Sequence, residues 1–438
     1  MGRRQAEKGI ERMSRLRAHV QGAGEWARRL YQQVPWGWDR AAASCLPLVL
    51  PWSAVRVPVA ILTGRTKHSE RQATIIVAGA RPWAEYLPHR FFASRPQREV
   101  VAHVPVWMLP STLRRLGASA DMTIARVDRL SARMFFEGDE LVVPESIPCR
   151  IAAPVDVAQL ARASKSVKED LRTLRREKMT SEVSHSEADF EVFYHTMYEP
   201  LMRKRHADFA VIHNPDRLRR AFRHGGLIWV RRGGQRVAGG IFEQRNDELR
   251  FLSLGTADGD PALVKAGALA ALYVFEIACA NERGCAAIDF GGSPPILNDG
   301  LLRYKLKWGI RIGNEPQTPF DYVIRWRSVN DHVLNFLAQT PLICRVRGRL
   351  AGITAIGSDQ VCPEERAAAL CRSLWIPGLD RLFVLVPGGA ERRPALGAAS
   401  GRAVLCNAER FLRDHGVTGT PVAESEVSHR AHQKEHRA

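Results

Sequence analysis

The stretch that decides the fold is LIWVRRGGQRVAGGIFEQRNDELRFLSLG, Leu227 to Gly255. It divides into three apolar-rich runs of strand length, 227–232, 236–244 and 248–255. Gly233-Gly234 separates the first two, and a two-residue hairpin needs such a pair because both central residues take positive φ. Asn246-Asp247 separates the second from the third and is equally suited to a turn. The sequence therefore predicts an antiparallel meander. A helix over 261–281 follows, with Asp260 as N-cap and Pro261 at the first helical position, where its missing N–H is not needed. Leu269, Leu272, Phe275 and Ile277 supply its buried face and Gly284 stops it. Another strand, AAIDFG, comes next. Meander, helix, strand is an α/β (α+β) order.

That last strand runs into DFGGSPPILNDGLLRYKLKWG, Asp289 to Gly309. Asp-Phe-Gly holds magnesium in protein kinases, but the context excludes that class. No glycine-rich strand-turn-strand, third-strand lysine or His-Arg-Asp loop precedes it. No GxxxxGK[ST] phosphate loop occurs. The meaning of the segment comes from what surrounds it: Gly267 in the helix, Gly284 after it, then Tyr304-Lys305 and Trp308-Gly309.

On those residues, Phe251 to Gly309 resembles the GNAT-like acyltransferases related to the Fem peptidoglycan aminoacyltransferases. The branch found with bacterial cellulose and exopolysaccharide genes is the closer resemblance. FYHTMYEPLMRKR (193–205) looks like that family's substrate-side helix, and the resemblance spans 155–320. It implies a GNAT-like fold, tandem, with a mixed antiparallel and parallel sheet and splayed central strands. The gap between those strands would admit the pantetheine arm of an acyl-CoA co-substrate, with no metal. The loop and helix N-terminus would face its pyrophosphate, since unpaired N–H groups and the helix dipole favour anions there. That assigns cofactor contact to Gly255, Thr256, Lys265, Gly267 and Ala268. The family's Q/R-x-x-G-x-G/A signature is half present, as Val264 to Ala268, with Lys265 standing where a polar anchor is usual. The acceptor implied is a small or sugar-linked amine in envelope or exopolysaccharide biosynthesis. Two alternatives stay open: a Fem-type enzyme using aminoacyl-tRNA, and a non-catalytic scaffold of polysaccharide or membrane machinery. No RNA-binding coiled-coil arm is evident, which favours acyl-CoA.

Transfer to an amine needs a proton acceptor, an aligned carbonyl and a donor for the developing oxyanion. Asp289, at the end of its strand, is the candidate base, or else a cap for the loop 291–300. Tyr304 and Lys305 are candidate donors, or a packed tyrosine and a solvated lysine. Trp308 reads as core. Arg203, Arg205 and His206 would bind an acidic acceptor, or form a solvated basic face. Asn298 and Asp299 precede Gly300 in a turn-forming position with possible substrate contact, and Glu243 and Arg250 are weaker base and phosphate candidates. No serine, histidine and acid grouping suggests covalent catalysis.

At 438 residues the chain is long enough for two or three domains. The divisions expected are a basic amphipathic segment (1–40), an N-terminal α/β domain (41–154), the transferase domain (155–325), a C-terminal α/β extension (326–417) and a disordered tail (418–438). Ile10, Met13, Leu16 and Val20 at helical spacing, with arginines between, suit either an anionic lipid surface or the protein's own. A net charge of +18 favours anionic partners, yet no specific nucleic-acid module accompanies it. The eight cysteines are scattered without CxxC pairs, as in a reduced cytoplasmic protein. The most apolar span, 45–62, is cut by prolines and carries Arg56, too little for a membrane crossing. The expectation is a cytoplasmic protein with peripheral membrane contact.

Overall fold

The computed structural model describes residues 56–67, 71–80, 83–136, 138–206, 212–357, 363–388 and 402–415. The segment 1–40, His206's side chain and the tail from 418 lie outside the described residues and side chains.

The chain builds two mixed sheets. Five strands come first: β1 (Arg56–Arg65), β2 (Gln72–Ala78), β3 (Gln97–Pro105), β4 (Met122–Asp128) and β5 (Leu141–Pro144). Helices α1 (Tyr86–Phe91), α2 (Leu109–Leu116) and α3 (Arg129–Phe135) lie between them. After β6 (Ile147–Ala152) come α4 (Val157–Ala163), α5 (Lys165–Arg176), β7 (Thr180–Ser184), α6 (Glu187–Phe193), α7 (Glu199–His206) and α8 (Pro215–Arg223). The meander follows as β8 (Gly225–Arg232), β9 (Gln235–Arg245) and β10 (Glu248–Thr256), with Gly233, Gly234 and Asn246 all at positive φ in its turns. Then α9 (Pro261–Lys265), α10 (Ala268–Glu282), β11 (Ala287–Ser293), α11 (Gly300–Leu306) and β12 (Arg311–Ile312) complete this region. The last elements are β13 (Phe320–Arg325), α12 (Asp331–Gln339), β14 (Leu342–Val346), β15 (Arg349–Ala355), α13 (Pro363–Leu374), β16 (Leu382–Val386), β17 (Ala403–Asn407) and α14 (Phe411–His415).

The seven-stranded sheet runs β12-β6-β11-β10-β9-β8-β7, and the ten-stranded one β17-β16-β15-β14-β5-β13-β4-β2-β1-β3. The second is drawn from both ends of the chain. The boundary read at 325/326 therefore falls inside one sheet, because β13 pairs with β4 and β5 on either side. The boundary at 154/155 likewise cuts β6, on its N-terminal side, from the seven-stranded sheet in which it pairs with β11 and β12. Sheet partnership is non-local and leaves no local mark. The segment 403–415 is a strand followed by a short helix.

Burial explains the layering. In β2, Ile75 and Val77 face one core while Ile76 and Ala78 face another, so the continuous apolar run is covered on both sides. In the seven-stranded sheet, Phe242 and Phe251 pack under α10, whereas Ile241 and Trp229 pack under α6 and α8. The same core continues from α10 into Ile343, Leu382 and Val384 of the other sheet. The Gly/Pro loop after β11 is the joint between the sheets: Leu297 N–H donates to Pro341 O at 2.8 Å and Ile343 N–H to Pro295 O at 2.8 Å. Among the described residues, no helix is long and apolar enough to cross a membrane.

Candidate active site

The site forms where β10 and β11 part. They run parallel and pair only over Glu248–Arg250 with Ala287–Asp289. Beyond Arg250, β10 continues to Thr256 while β11 turns away at Gly291, whose φ is +72°, and pairs with β6 through an irregular register. Among the described residues, the edge of β10 from Phe251 onward on the β11 side thus has no strand beside it. On the α10 side the divergence is filled by rings: Phe251 stacks on Phe290 at 5.7 Å, and Phe290 on Tyr273 at 5.0 Å and 2°. Tyr273 in turn meets Tyr304 and Trp308.

The opposite face is polar. Glu243 of β9 lies directly across from Arg250 of β10, so the two side chains share a face. Arg250 Nε reaches Asp289 Oδ2 at 3.4 Å, and Arg150 of β6 approaches the same oxygen at 3.8 Å. Gln317 joins them, accepting from Arg250 at 3.3 Å and donating to Asp289 at 3.5 Å. A register shift in β10 between Phe251 and Ser253 places Ser253 opposite Ile241, on this same face. Ser253 Oγ and Glu243 Oε2 are buried here with no hydrogen-bond partner. The other oxygen of Glu243 accepts from Arg245 Nε at 2.8 Å.

A π-helix, Tyr194–Tyr198, roofs this face. One-turn π segments inside α-helices recur at functional sites. It approaches closely because β10 ends in glycine: a Cβ on Gly255 would lie 2.6 Å from Met197 C and Tyr198 N. The π-helix holds the loop ahead of α8, with Tyr194 donating to His213 O at 2.9 Å and His213 N–H to Tyr198 Oη at 3.0 Å. His213 stacks flat on Tyr198. Burial, reinforced by the guanidiniums of Arg217 and Arg250, lowers its imidazole to about 4, so the ring is neutral near pH 7. Sequence reading missed His213. Its one local signal is its place before Asn214-Pro215, the cap of α8, and that marks a helix start and not a site.

The expected site residues divide. Asp289 is as buried as Glu243, but both its oxygens are engaged, Oδ1 capping Gly291 N–H at 2.8 Å and Oδ2 facing Arg250 and Arg150, which fits the anchoring role better than that of a base. Lys305 is 3% exposed and donates to the carbonyls of Gly291 and Gly292 at 3.2 and 2.9 Å. Burial lowers its pKa. It is neither solvated nor open to a phosphate. Burial raises the Tyr304 phenol, and Lys307 sits 4.0 Å over its ring. Asp299 caps α11 and pairs with Arg90 at 3.1 Å, and Asn298 donates to Gln339 O at 3.0 Å, so both belong to the joint between the sheets. Trp308 is fully buried, as core. Arg203 is exposed and paired with Glu199, while Arg205, exposed on the same helix, acts electrostatically on Tyr273 and Tyr304.

The helix expected over 261–281 is two helices. Gly267, at φ +89°, breaks it and becomes the N-cap of α10 with no side-chain cap, and Ala268 opens α10. Exposed Lys265 ends α9 just before. The half-signature therefore stands at the N-terminus of the long helix. Thr173 of α5 lies there too, 3.1 Å from where a Gly267 Cβ would be. Gly255 and Thr256 are instead buried, Gly255 against the π-helix and Thr256 with its hydroxyl 3.4 Å from Asp260 O. Lys265, Gly267 and Ala268 thus stand together at the start of α10, apart from the closely packed Gly255 and Thr256. Among the described residues, no cluster of three or more His, Cys, Asp or Glu side chains is arranged to hold a metal ion.

No family model and no curated protein matches the chain. Solved structures similar to parts of it include FemX, at 12% identity over 61% of this chain and 88% of that one, with a TM-score of 0.33. L-PGS from Bacillus licheniformis is 13% identical over 64% and 87%, with a TM-score of 0.32. A putative GNAT-family acetyltransferase from Novosphingobium aromaticivorans is 14% identical over 52% and 84%, with a TM-score of 0.25. Superpositions this loose carry no argument about activity.

Proposed function

We propose that this chain is an acyltransferase that delivers an acyl group from an acyl-CoA to an amine on the face shared by Glu243, Arg250 and Ser253. The observation that carries the reading is a strand edge without a partner, beside two buried polar atoms without partners. An unpaired edge offers N–H and C=O groups to an extended amide-bearing chain, which is the chemistry of a pantetheine arm. Lys265 and the uncapped N–H groups of α10 suit its phosphates.

An incoming amine reaches neutral water as an ammonium ion and must lose a proton to attack. Glu243 Oε2 accepts that proton in this reading, while Arg245 holds the other oxygen. The nitrogen then bonds to the acyl carbon as the carbon–sulfur bond breaks, and the second proton that the nitrogen sheds on becoming an amide goes to the thiolate. Ser253 Oγ supplies a hydrogen bond to the carbonyl oxygen as charge develops on it. Asp289 and Gln317 keep Arg250 in place, and Arg250 limits protonation of His213. The acceptor class is a small or sugar-linked amine of envelope or exopolysaccharide precursors.

Isothermal titration with acetyl-CoA and longer acyl-CoAs tests the donor. Saturable binding supports the reading. Failure of every acyl-CoA, together with tight binding of a charged tRNA, replaces it with aminoacyl transfer. Loss of neither pathway function nor ligand binding on changing Glu243 would instead point to a scaffold.

A further inference from the structure

We infer that the corner of the ten-stranded sheet formed by β3, the short helix Val106–Met108 and α3 is a docking surface for an anionic lipid bilayer. Among the described residues, most of the large apolar side chains left in water stand on these elements. Trp107 is 50% exposed, Met108 40% and Met134 56%. Val100 and Val101 of β3 are exposed as well, and α3, which carries Met134, packs beside the short helix that carries Trp107 and Met108. Soluble surfaces carry such residues singly, and a group of them marks an interaction site.

Three features favour a bilayer over another protein. First, β3 is the outer strand of its sheet, and its pairing with β1 shifts register where Ala60 faces Val100, leaving Val101 as the extra residue. A bulged edge is poorly suited to pairing with a second strand. Second, the corner carries exposed cations: Arg56, opposite Pro105 in the ladder; Arg115 on α2; and Arg133, next to Met134. Glu99 is the acidic residue on the exposed part of β3. A protruding Trp with neighbouring methionines and an arginine rim is the chemistry of the headgroup–acyl boundary. Third, Arg56 is where the chain preceding β1 joins the sheet, and the sequence of 1–40 is itself basic and amphipathic.

The test uses the full chain in flotation with vesicles of phosphatidylcholine alone and of phosphatidylcholine with phosphatidylglycerol. The wild type is expected to float with the anionic vesicles and far less with the neutral ones. The double substitution Trp107→Glu with Met108→Glu removes apolar surface that is already exposed, so the fold should persist, as checked by circular dichroism and melting temperature. It should weaken vesicle binding by about ten-fold or more. Equal binding by the folded variant, or no preference for anionic vesicles, overturns the inference. Light scattering covers the other occupant: a wild-type dimer that the variant dissociates, with no vesicle binding by either, assigns the corner to self-association instead.

Discussion

Asp289 and Lys305 hold Gly291 from opposite sides: Asp289 Oδ1 accepts the Gly291 N–H at 2.8 Å, and Lys305 Nζ donates to the Gly291 carbonyl at 3.2 Å. Gly291 is the point at which β11 leaves β10, so this pair sets the divergence on which the site depends.

Lys305→Met should therefore act mainly on stability. It keeps much of the side-chain volume but leaves the carbonyls of Gly291 and Gly292 buried without their donor, at a cost of about 2–4 kcal/mol. Asp289→Asn retains an oxygen for the Gly291 N–H and should cost less, about 1–2 kcal/mol, through the weakened contacts to Arg250 and Arg150. Urea midpoints measure both. A folded Lys305→Met protein of unchanged stability would show that the strap is dispensable.

This pair also shows what was legible in the sequence. Turn glycines and the Asp260 cap are encoded within a few residues, and each stands where the sequence put it. The break at Gly267 was not read, because a lone glycine in a helical pattern is commonly tolerated and only positive φ reveals the cap. Asp289 drew attention at a strand end, and Tyr304 and Lys305 after the loop, but Asp289 and Lys305 meet backbone groups and arginines from other strands, and Tyr304 packs against Tyr273 and under Lys307. Glu243 and Arg250 were the weaker candidates for the complementary reason. Their apposition depends on the hairpin register, and the approach of His213 depends on packing by α6 to α8.

Glu243→Gln removes the proposed proton acceptor and keeps its shape. Transfer to an amine should fall by about 10²–10⁴ in kcat, with donor affinity close to wild type. Steady-state kinetics with a titrated donor measure this. A fall confined to KM would assign Glu243 to binding alone.

Gly255→Ala tests the roof. The added Cβ would meet Met197 C and Tyr198 N at 2.6 Å, and backbone atoms cannot swing aside as a side chain can. The π-helix must shift or the protein loses about 1–3 kcal/mol. Gly233→Ala is the comparison, since nothing lies within 4 Å of its Cβ and only its φ of +58° opposes the change. Thermal melts should place Gly255→Ala well below Gly233→Ala.

His213 predicts a pH dependence. Its ring titrates near 6.5 in the unfolded chain and near 4 in the fold. Above about pH 6.5 neither state binds the proton, and stability is level. Between about 6.5 and 4 the unfolded chain binds it first, so stability falls as pH falls, by about 2–3 kcal/mol at most for this half-buried ring. His213→Asn should flatten that part of the curve when urea midpoints are compared from about pH 7.5 to 4. A parallel decline in both proteins would exclude the ring as the cause.

Glu276 on α10 predicts the opposite slope. It is 1% exposed, and its Oε1 lies 3.1 Å from where a Gly240 Cβ would be. Burial raises its carboxyl well above the usual glutamate range, while Lys305 pulls the other way. A raised folded pKa gives stability that is fully present below the unfolded value and lost as pH rises toward the folded one. Near pH 8 the unfolded chain has released the proton that the fold must keep, or else bury as a charge. Glu276→Gln keeps the shape of the neutral acid and has no proton to lose. It should match the wild type near pH 4 and exceed it near pH 8 by about 1 kcal/mol or more. Urea midpoints at the two pH values measure the difference. A Glu276→Gln protein less stable than wild type near pH 8 would mean that the carboxylate is charged in the fold and held there by Lys305.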